Sequence, residues 1–264
     1  MTDAPLLQLS GLHAEDTGGV TVLDGASLAI EVGETHVIHV LPDQDSDAIG
    51  AVVLGSHRYR LTDGAVRLRG EDIGGWPANI RAGAGLFRAA PAPQGRAGIS
   101  NLSVLRAIAP AGMGDAATDD NVDEAVDGEA TGVTAVRRSA IRILDRLGLD
   151  QSLLTEDVGT ATSPVDALGA ALLRVLFQRP EVVLVDLAAF SESPEIFALL
   201  TKGVGLARFE RPGLGTLIMS RDERLLDHLE PDHIHVLSGG RVTACDRAEL
   251  ASFVTTNDSE TRHE

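Results

Sequence analysis

Residues 36–55 constrain the fold more than any other stretch of the chain. Val37, Ile38 and Val40 form a buried-strand run, Pro42 to Asp47 supply turn formers, and Ala48 through Leu54 continue as an unbroken helical segment. In phosphate-binding proteins a strand, a tight loop and a helix in this order carry the Gly-rich loop G-x-x-x-x-G-K-[ST]. There, glycines let backbone N–H groups close on phosphate, Lys neutralises its charge, and Ser/Thr holds Mg²⁺. Laid over that pattern, Val40 and Asp45 stand at the glycines, Ser46 at the lysine and Asp47 at the Ser/Thr. The outline of a phosphate loop is present and its chemistry is missing.

Asp43, Asp45 and Asp47 alternate through this loop. As a cation loop they lack the Gly and closing Glu that calcium loops need. The favoured reading is a carboxylate capping the helix that begins near Ser46, in the place phosphate would take. One carboxylate about 5 Å from a phosphate charge costs on the order of 3 kcal/mol at an effective dielectric of about 20. Three flanking acids therefore oppose nucleotide binding.

The other elements build a frame for this unit. Residues 6–10 and 20–31 read as antiparallel strands. Tyr59 to Leu61, a turn at Thr62-Asp63-Gly64 and an alternating strand Ala65 to Arg69 follow, then a short helix over 77–84 and a strand from Gly85. A helix restarts near Ser100. Residues 114–131 hold seven acids and no base, the signature of a solvated, disordered linker. Ala135 to Leu147 is amphipathic and ends at Gly148, and a further helix runs from Pro164 to Phe177. The run Glu181-Val-Val-Leu-Val-Asp186 reads as a strand buried on both faces of a parallel sheet. A helix near 194–208, a strand 215–220, a helix 222–229 and strands 234–237 and 241–243 complete an α/β alternation.

At 264 residues with one Trp and one Tyr, the chain has an aliphatic core and room for one large α/β domain. A net charge of −17 argues against nucleic acid and against anionic membranes. No window approaches the roughly 18 apolar residues of a membrane helix, and no N-terminal apolar run of signal-peptide length appears, so the expected location is cytoplasmic. Cys245 is the sole cysteine, which excludes an internal disulfide; Ser46 lacks the context of a nucleophile elbow. His36 and His39 alternate on a strand, but His57, His233 and His235 show no matching local spacing, so no metal site is expected.

Several stretches carry a resemblance: Gly33-Glu34-Thr35-His36, Gly64 to Asp72, Arg81 to Phe87, Gly98-Ile-Ser-Asn-Leu102, Leu147-Gly-Leu-Asp150, Arg224-Leu-Leu-Asp227 and Pro231 to Leu237. In order and spacing the chain resembles an ATP-binding-cassette (ABC) ATPase, and within that group the ATPase of the Suf iron–sulfur cluster assembly system. The resemblance implies an α/β ABC-type nucleotide-binding-domain fold, a P-loop-NTPase-like mixed sheet flanked by helices with an inserted helical subdomain. On that frame residues 1–90 and 178–250 are the α/β core, 91–177 the helical subdomain, and 251–264 a flexible tail.

Carried over by position, the family's motifs are lost. Asp186 keeps the strand-end acid, but the catalytic Glu after it is Leu187. The Q-loop Gln falls on Pro91, the Ser-Gly-Gly signature on Ser163-Pro164-Val165, and the switch His on Arg221. Asp186 and Ser163 alone keep the family residue type and are the candidate nucleotide-binding positions; no catalytic residue is expected. Pro164 removes a backbone donor as well as a flexible glycine. The expected protein is a degenerate, non-hydrolysing Suf-type subunit acting through binding or regulation, needing no cofactor, with ATP and Mg²⁺ bound only if the altered site still accepts them. Its implied partners are Suf-type scaffold proteins, docked through Pro93, Gly98, Asn101, Leu102 and Leu105, and the family also allows dimerisation. The alternatives are a working Suf-type ATPase and the nucleotide-binding subunit of an ABC transporter.

Overall fold

The computed structural model describes residues 4–92, 98–109, 128–161 and 163–260, with backbone alone at 128–133 and 256–260. Two sheets stack in it. The first is antiparallel, in the order β2 (Thr21–Ile30), β1 (Leu7–Asp16), β4 (Tyr59–Leu68), β5 (Glu71–Asp72). The second runs β10 (Arg241–Cys245), β9 (His233–Ser238), β3 (Thr35–Val40), β8 (Gly215–Ser220), β7 (Val182–Asp186), β6 (Leu86–Ala89), and is parallel except for β10.

Two cores form because the central strands are apolar on both faces. Along β3 and β7 the side-chain period of two sends Ile38, Val182 and Leu184 toward the antiparallel sheet and Val37, Val183 and Val185 toward the helices. Between the sheets lies α1 (Asp47–Val53), whose Ile49 and Val53 are fully buried. The opposite face is covered by α3 (Asn101–Ile108), α4 (Gly128–Leu147), α5 (Pro164–Gln178) and α6 (Pro194–Glu210). A short α2 (Ala78–Gly83) precedes β6, and α7 (Arg247–Glu260) ends the described chain. This is the fold expected from the sequence.

Four local expectations are corrected. Thr62 to Gly64 do not turn the chain; β4 is continuous, and the register against β1 slips between Ser10↔Ala65 and His13↔Asp63. Gly64 makes that bulge possible: its φ is +91°, and a Cβ there would lie 2.3 Å from the Gly11 carbonyl oxygen. Residues 128–131, counted with the acidic linker, belong to α4, while 114–127 lie outside the described residues. The expected flexible tail is helical through Glu260, and 261–264 lie outside the described residues. The helix expected at 222–229 is a single 3₁₀ stretch, Glu223–Asp227, opened by the Asp222 carboxylate.

Candidate functional site

Because β3, β8, β7 and β6 are parallel neighbours, their C-terminal ends share one edge of the sheet, where ligands bind in open α/β sheets. Val40 leads there into the loop and α1, and Asp186 ends β7. β7 is an apolar run that ends at Asp186, and β3, fully buried along its length, gives way after Leu41 to the polar loop, which fixes where the chain leaves the sheet.

At this edge the protein's own side chains meet one another. Asp186 is buried; its Oδ2 accepts the Ser46 hydroxyl at 3.2 Å and its Oδ1 accepts the Ala188 N–H at 3.2 Å. Arg88, from β6, places Nη2 2.7 Å from Asp47 Oδ1, a charge contact without hydrogen-bond alignment, and 3.7 Å from Asp186 Oδ2. A guanidinium thus lies between the acid at the Mg²⁺-ligand position of the loop and the acid at the end of β7. Burial pushes the Asp186 carboxyl above the usual carboxylate range, and Arg88 opposes that rise. Arg58 closes the outer side, its Nη1 3.0 Å from Asp47 Oδ2 and its Nη2 3.5 Å from Asp45 Oδ2.

The loop backbone is also engaged internally. The Gln44 N–H donates to the Leu41 carbonyl, the Ala48 N–H to the Asp45 carbonyl, and the Asp47 N–H to Asp45 Oδ1 at 3.0 Å. Tyr59 donates its hydroxyl to the same Asp45 carboxylate. From the end of β8, Arg221 gives Nη1 to the carbonyls of Leu41 (3.3 Å) and Pro42 (3.0 Å) and Nη2 to that of Gln44 (2.6 Å). Glu192 steadies this clamp: its carboxylate accepts the Arg221 N–H at 2.8 Å and the Ser220 hydroxyl, and burial raises its pKa. Gln44 Oε1 takes the Gly240 N–H at 2.8 Å. A phosphate loop functions by presenting free N–H groups and a cation to an outside anion. Here the N–H groups of three loop residues and the guanidiniums of Arg58, Arg88 and Arg221 already have partners inside the chain.

Asp45 accepts the Asp47 N–H at the start of α1, one residue before the N-cap Ser46, which makes no side-chain cap bond, and the three acids expected to oppose phosphate are each engaged by neighbours. Asp47 faces two guanidiniums, Asp45 faces Arg58 and Tyr59, and Asp43 accepts from Gln44 Nε2 at 2.5 Å. Mg²⁺ does not fit among these residues, since Arg88 already supplies the positive charge between the two acids.

The remaining candidate residues are dispersed. Ser163 caps α5, accepting the Asp166 N–H at 3.1 Å and donating to the Asp166 carboxylate at 2.6 Å. Among the described residues it shares no hydrogen bond with Asp186. Of the proposed docking set, Leu105 is buried in the helical core and Asn101 is buried beneath it, its Nδ2 donating to the Leu153 carbonyl at 2.9 Å. Both hold α3 in place and neither presents a docking surface. Leu102 is half-buried against the same core, Gly98 is exposed with its N–H on Asp157 Oδ2 at 2.8 Å, and Pro93 lies outside the described residues. Arg88, Arg58, Tyr59 and Glu192 were missed from sequence. Arg88 alone left a signal there: a base inside the apolar strand Leu86-Phe87-Arg88-Ala89 needs an acid beside it.

No protein-family model matches the chain. It is 25% identical over 248 residues to Vegetative protein 296 of Bacillus subtilis, covering 94% of this chain and 89% of that protein. A probable ABC transporter ATP-binding protein of Streptococcus pyogenes is 26% identical over 251 residues, covering 94% and 91%. The iron–sulfur cluster assembly protein SufC of Plasmodium falciparum is 25% identical over 239 residues, covering 90% of this chain and 65% of that protein. Among solved structures, the ADP conformation of MJ1267, an ATP-binding cassette of an ABC transporter, aligns with TM-score 0.65 at 16% identity over 90% of this chain and 89% of that one. CbiO1 of Clostridium perfringens, part of an ABC transporter complex, aligns with TM-score 0.64 at 15% identity over 95% and 92%. The fold is that of ABC ATPase nucleotide-binding domains. The SufC relative and the transporter relatives lie at similar distances, so the comparisons favour neither of them.

Proposed function

We propose that the chain is a cassette subunit that does not hydrolyse ATP and acts as a binding or regulatory partner of Suf-type scaffold proteins in iron–sulfur cluster assembly. One observation carries this reading: the Arg88 guanidinium lies between Asp47 and Asp186, where a hydrolysing cassette would need a divalent cation. Leu187 supports it, since a buried aliphatic side chain beyond Asp186 cannot polarise water. The Suf assignment rests on the Gly98 to Leu102 and Pro231 to Leu237 stretches. On this reading Gly98 and Leu102 form the outer part of the docking surface, while Asn101 and Leu105 support it from behind; Pro93, proposed with them, lies outside the described residues. A working ATPase is the reading this arrangement opposes.

The test is an ATPase assay on the purified full chain, alone and with Suf-type scaffold proteins. Release of phosphate at background rate is expected in both. Mg²⁺-dependent turnover that disappears in Asp186→Ala would overturn the proposal. A second reading, the nucleotide-binding subunit of a transporter, is favoured by the streptococcal relative. Co-purification with membrane-spanning subunits instead of Suf scaffolds would select it. No helix among the described residues is long and apolar enough to cross a membrane.

A further inference from the structure

At the opposite, N-terminal end of β3, the neighbouring side chains Glu34 and His36 meet His233 from far along the chain. β3 and β9 are parallel neighbours with His36 paired to His233, and the period of two keeps Glu34 on the His36 face and His235 on the His233 face. The Thr35 N–H donates to Asp232 Oδ2 at 2.7 Å, which pins the two strand starts in this register. As a result Glu34 Oε2 lies 2.9 Å from His36 Nε2, and Glu34 Oε1 lies 3.4 Å from His233 Nε2. One ligand atom from each of the three residues falls within 4.8 Å of the others.

We propose that Glu34, His36 and His233 form a site for a divalent transition metal of the Zn²⁺ or Co²⁺ class. Two imidazoles and a carboxylate are a donor set typical of those ions, with solvent completing a four-coordinate shell. Bonds of about 2.0–2.1 Å at tetrahedral angles put ligand atoms roughly 3.3 Å apart, so the spacing here needs side-chain rotation and no strand movement. His36 is held from behind: its Nδ1 lies 3.0 Å from His235 Nε2, so with Nδ1–H donating to His235, the Nε2 lone pair is directed at Glu34 and His233. The His233 side chain is 54% exposed and Glu34 is 25% exposed, which gives an ion a path in, while His36 at 3% anchors the floor.

The same groups also satisfy one another without an ion, because His36 Nε2–H can donate to Glu34. Metal titration separates the two states. Tag-free full chain, stripped with chelator, is titrated with Co²⁺ while the visible d–d absorption is followed, and then with Zn²⁺ against a chelating dye. One equivalent of Co²⁺ with four- or five-coordinate bands, displaced by Zn²⁺, is the expected result. His233→Ala and Glu34→Gln should each weaken binding by ~100-fold, with metal-free melting of His233→Ala unchanged because that side chain is exposed, and His57→Ala should bind as wild type. Absence of the bands, or binding that survives both substitutions, would overturn the site. Neither outcome depends on how the nucleotide edge is read.

Discussion

Arg88 does two things at once: it neutralises Asp47 at the loop and lowers the cost of burying Asp186. Replacing it with Ala leaves two carboxylates near one another with no cation between them. Breaking a fully buried pair costs about 3–5 kcal/mol; the Arg88 side chain is 27% exposed, so the expected loss in urea unfolding is about 2 kcal/mol. The pH dependence has a defined sign. Asp186 has a raised pKa in the fold, so its contribution is present below the ordinary carboxylate pKa and lost as pH rises through the raised value. Without Arg88 that rise is larger, and Arg88→Ala should lose more stability above the raised pKa than below it; equal loss at pH 4 and pH 8 would contradict the pairing. Ser46→Lys is expected to leave ATP binding undetected in calorimetry, because the new ammonium would face Arg88 and find Asp186 already engaged. The position of Asp186 was legible in the sequence, since a buried run ending in an acid announces a strand end. Its partner was not, because the Arg88–Asp186 contact depends on β6 and β7 lying side by side across nearly a hundred residues.

At the scale of elements, the buried runs of β3, β7 and β8 declared themselves, whereas the caps of α3, α5 and α6 did not: Ser100, Ser163 and Ser193 each accept an N–H in the first turn of their helices, and from sequence Ser163 reads as a nucleotide-binding position. The bulge in β4 did not. Thr62-Asp63-Gly64 carries turn chemistry, and only the pairing with β1 shows the glycine serving a register slip inside a strand. Gly64→Ala combines a left-handed φ with a contact to the Gly11 oxygen, and is expected to cost ~2 kcal/mol or more in chemical denaturation. A loss below ~0.5 kcal/mol would mean that the bulge relaxes freely. The histidines of β3 and β9 were hidden for the same reason as Arg88: a parallel pairing brings together residues that no local spacing connects. Acid stability reads out another of these positions. His39 is 5% exposed, and burial lowers its pKa against the nearby Asp222, with Arg221 adding to the shift. Its contribution is therefore present above the ordinary imidazole pKa and lost as pH falls through the lowered one. His39→Leu should flatten the decline of melting temperature below about pH 6.5; an unchanged slope would show that His39 titrates as if exposed.

For the whole molecule, two stacked sheets with helices on one side build a cassette frame, and the edge where such a frame meets nucleotide is filled by its own charges. The frame was readable because aliphatic periodicity and turn residues specify a sheet regardless of what its edge binds. The state of the edge was half readable. The absence of the glycines, Lys and Ser/Thr appeared in the sequence, whereas the contacts that Asp45, Arg88 and Arg221 make at this edge required the strands to be assembled. The most direct test is calorimetric titration of ATP with Mg²⁺ into the wild-type full chain. The account predicts no saturable heat up to about 1 mM nucleotide, equivalent to binding weaker than about −4 kcal/mol. Micromolar, Mg²⁺-dependent binding that is lost in Asp186→Ala would contradict it, because the loop would then open to nucleotide despite Arg88 and Arg221.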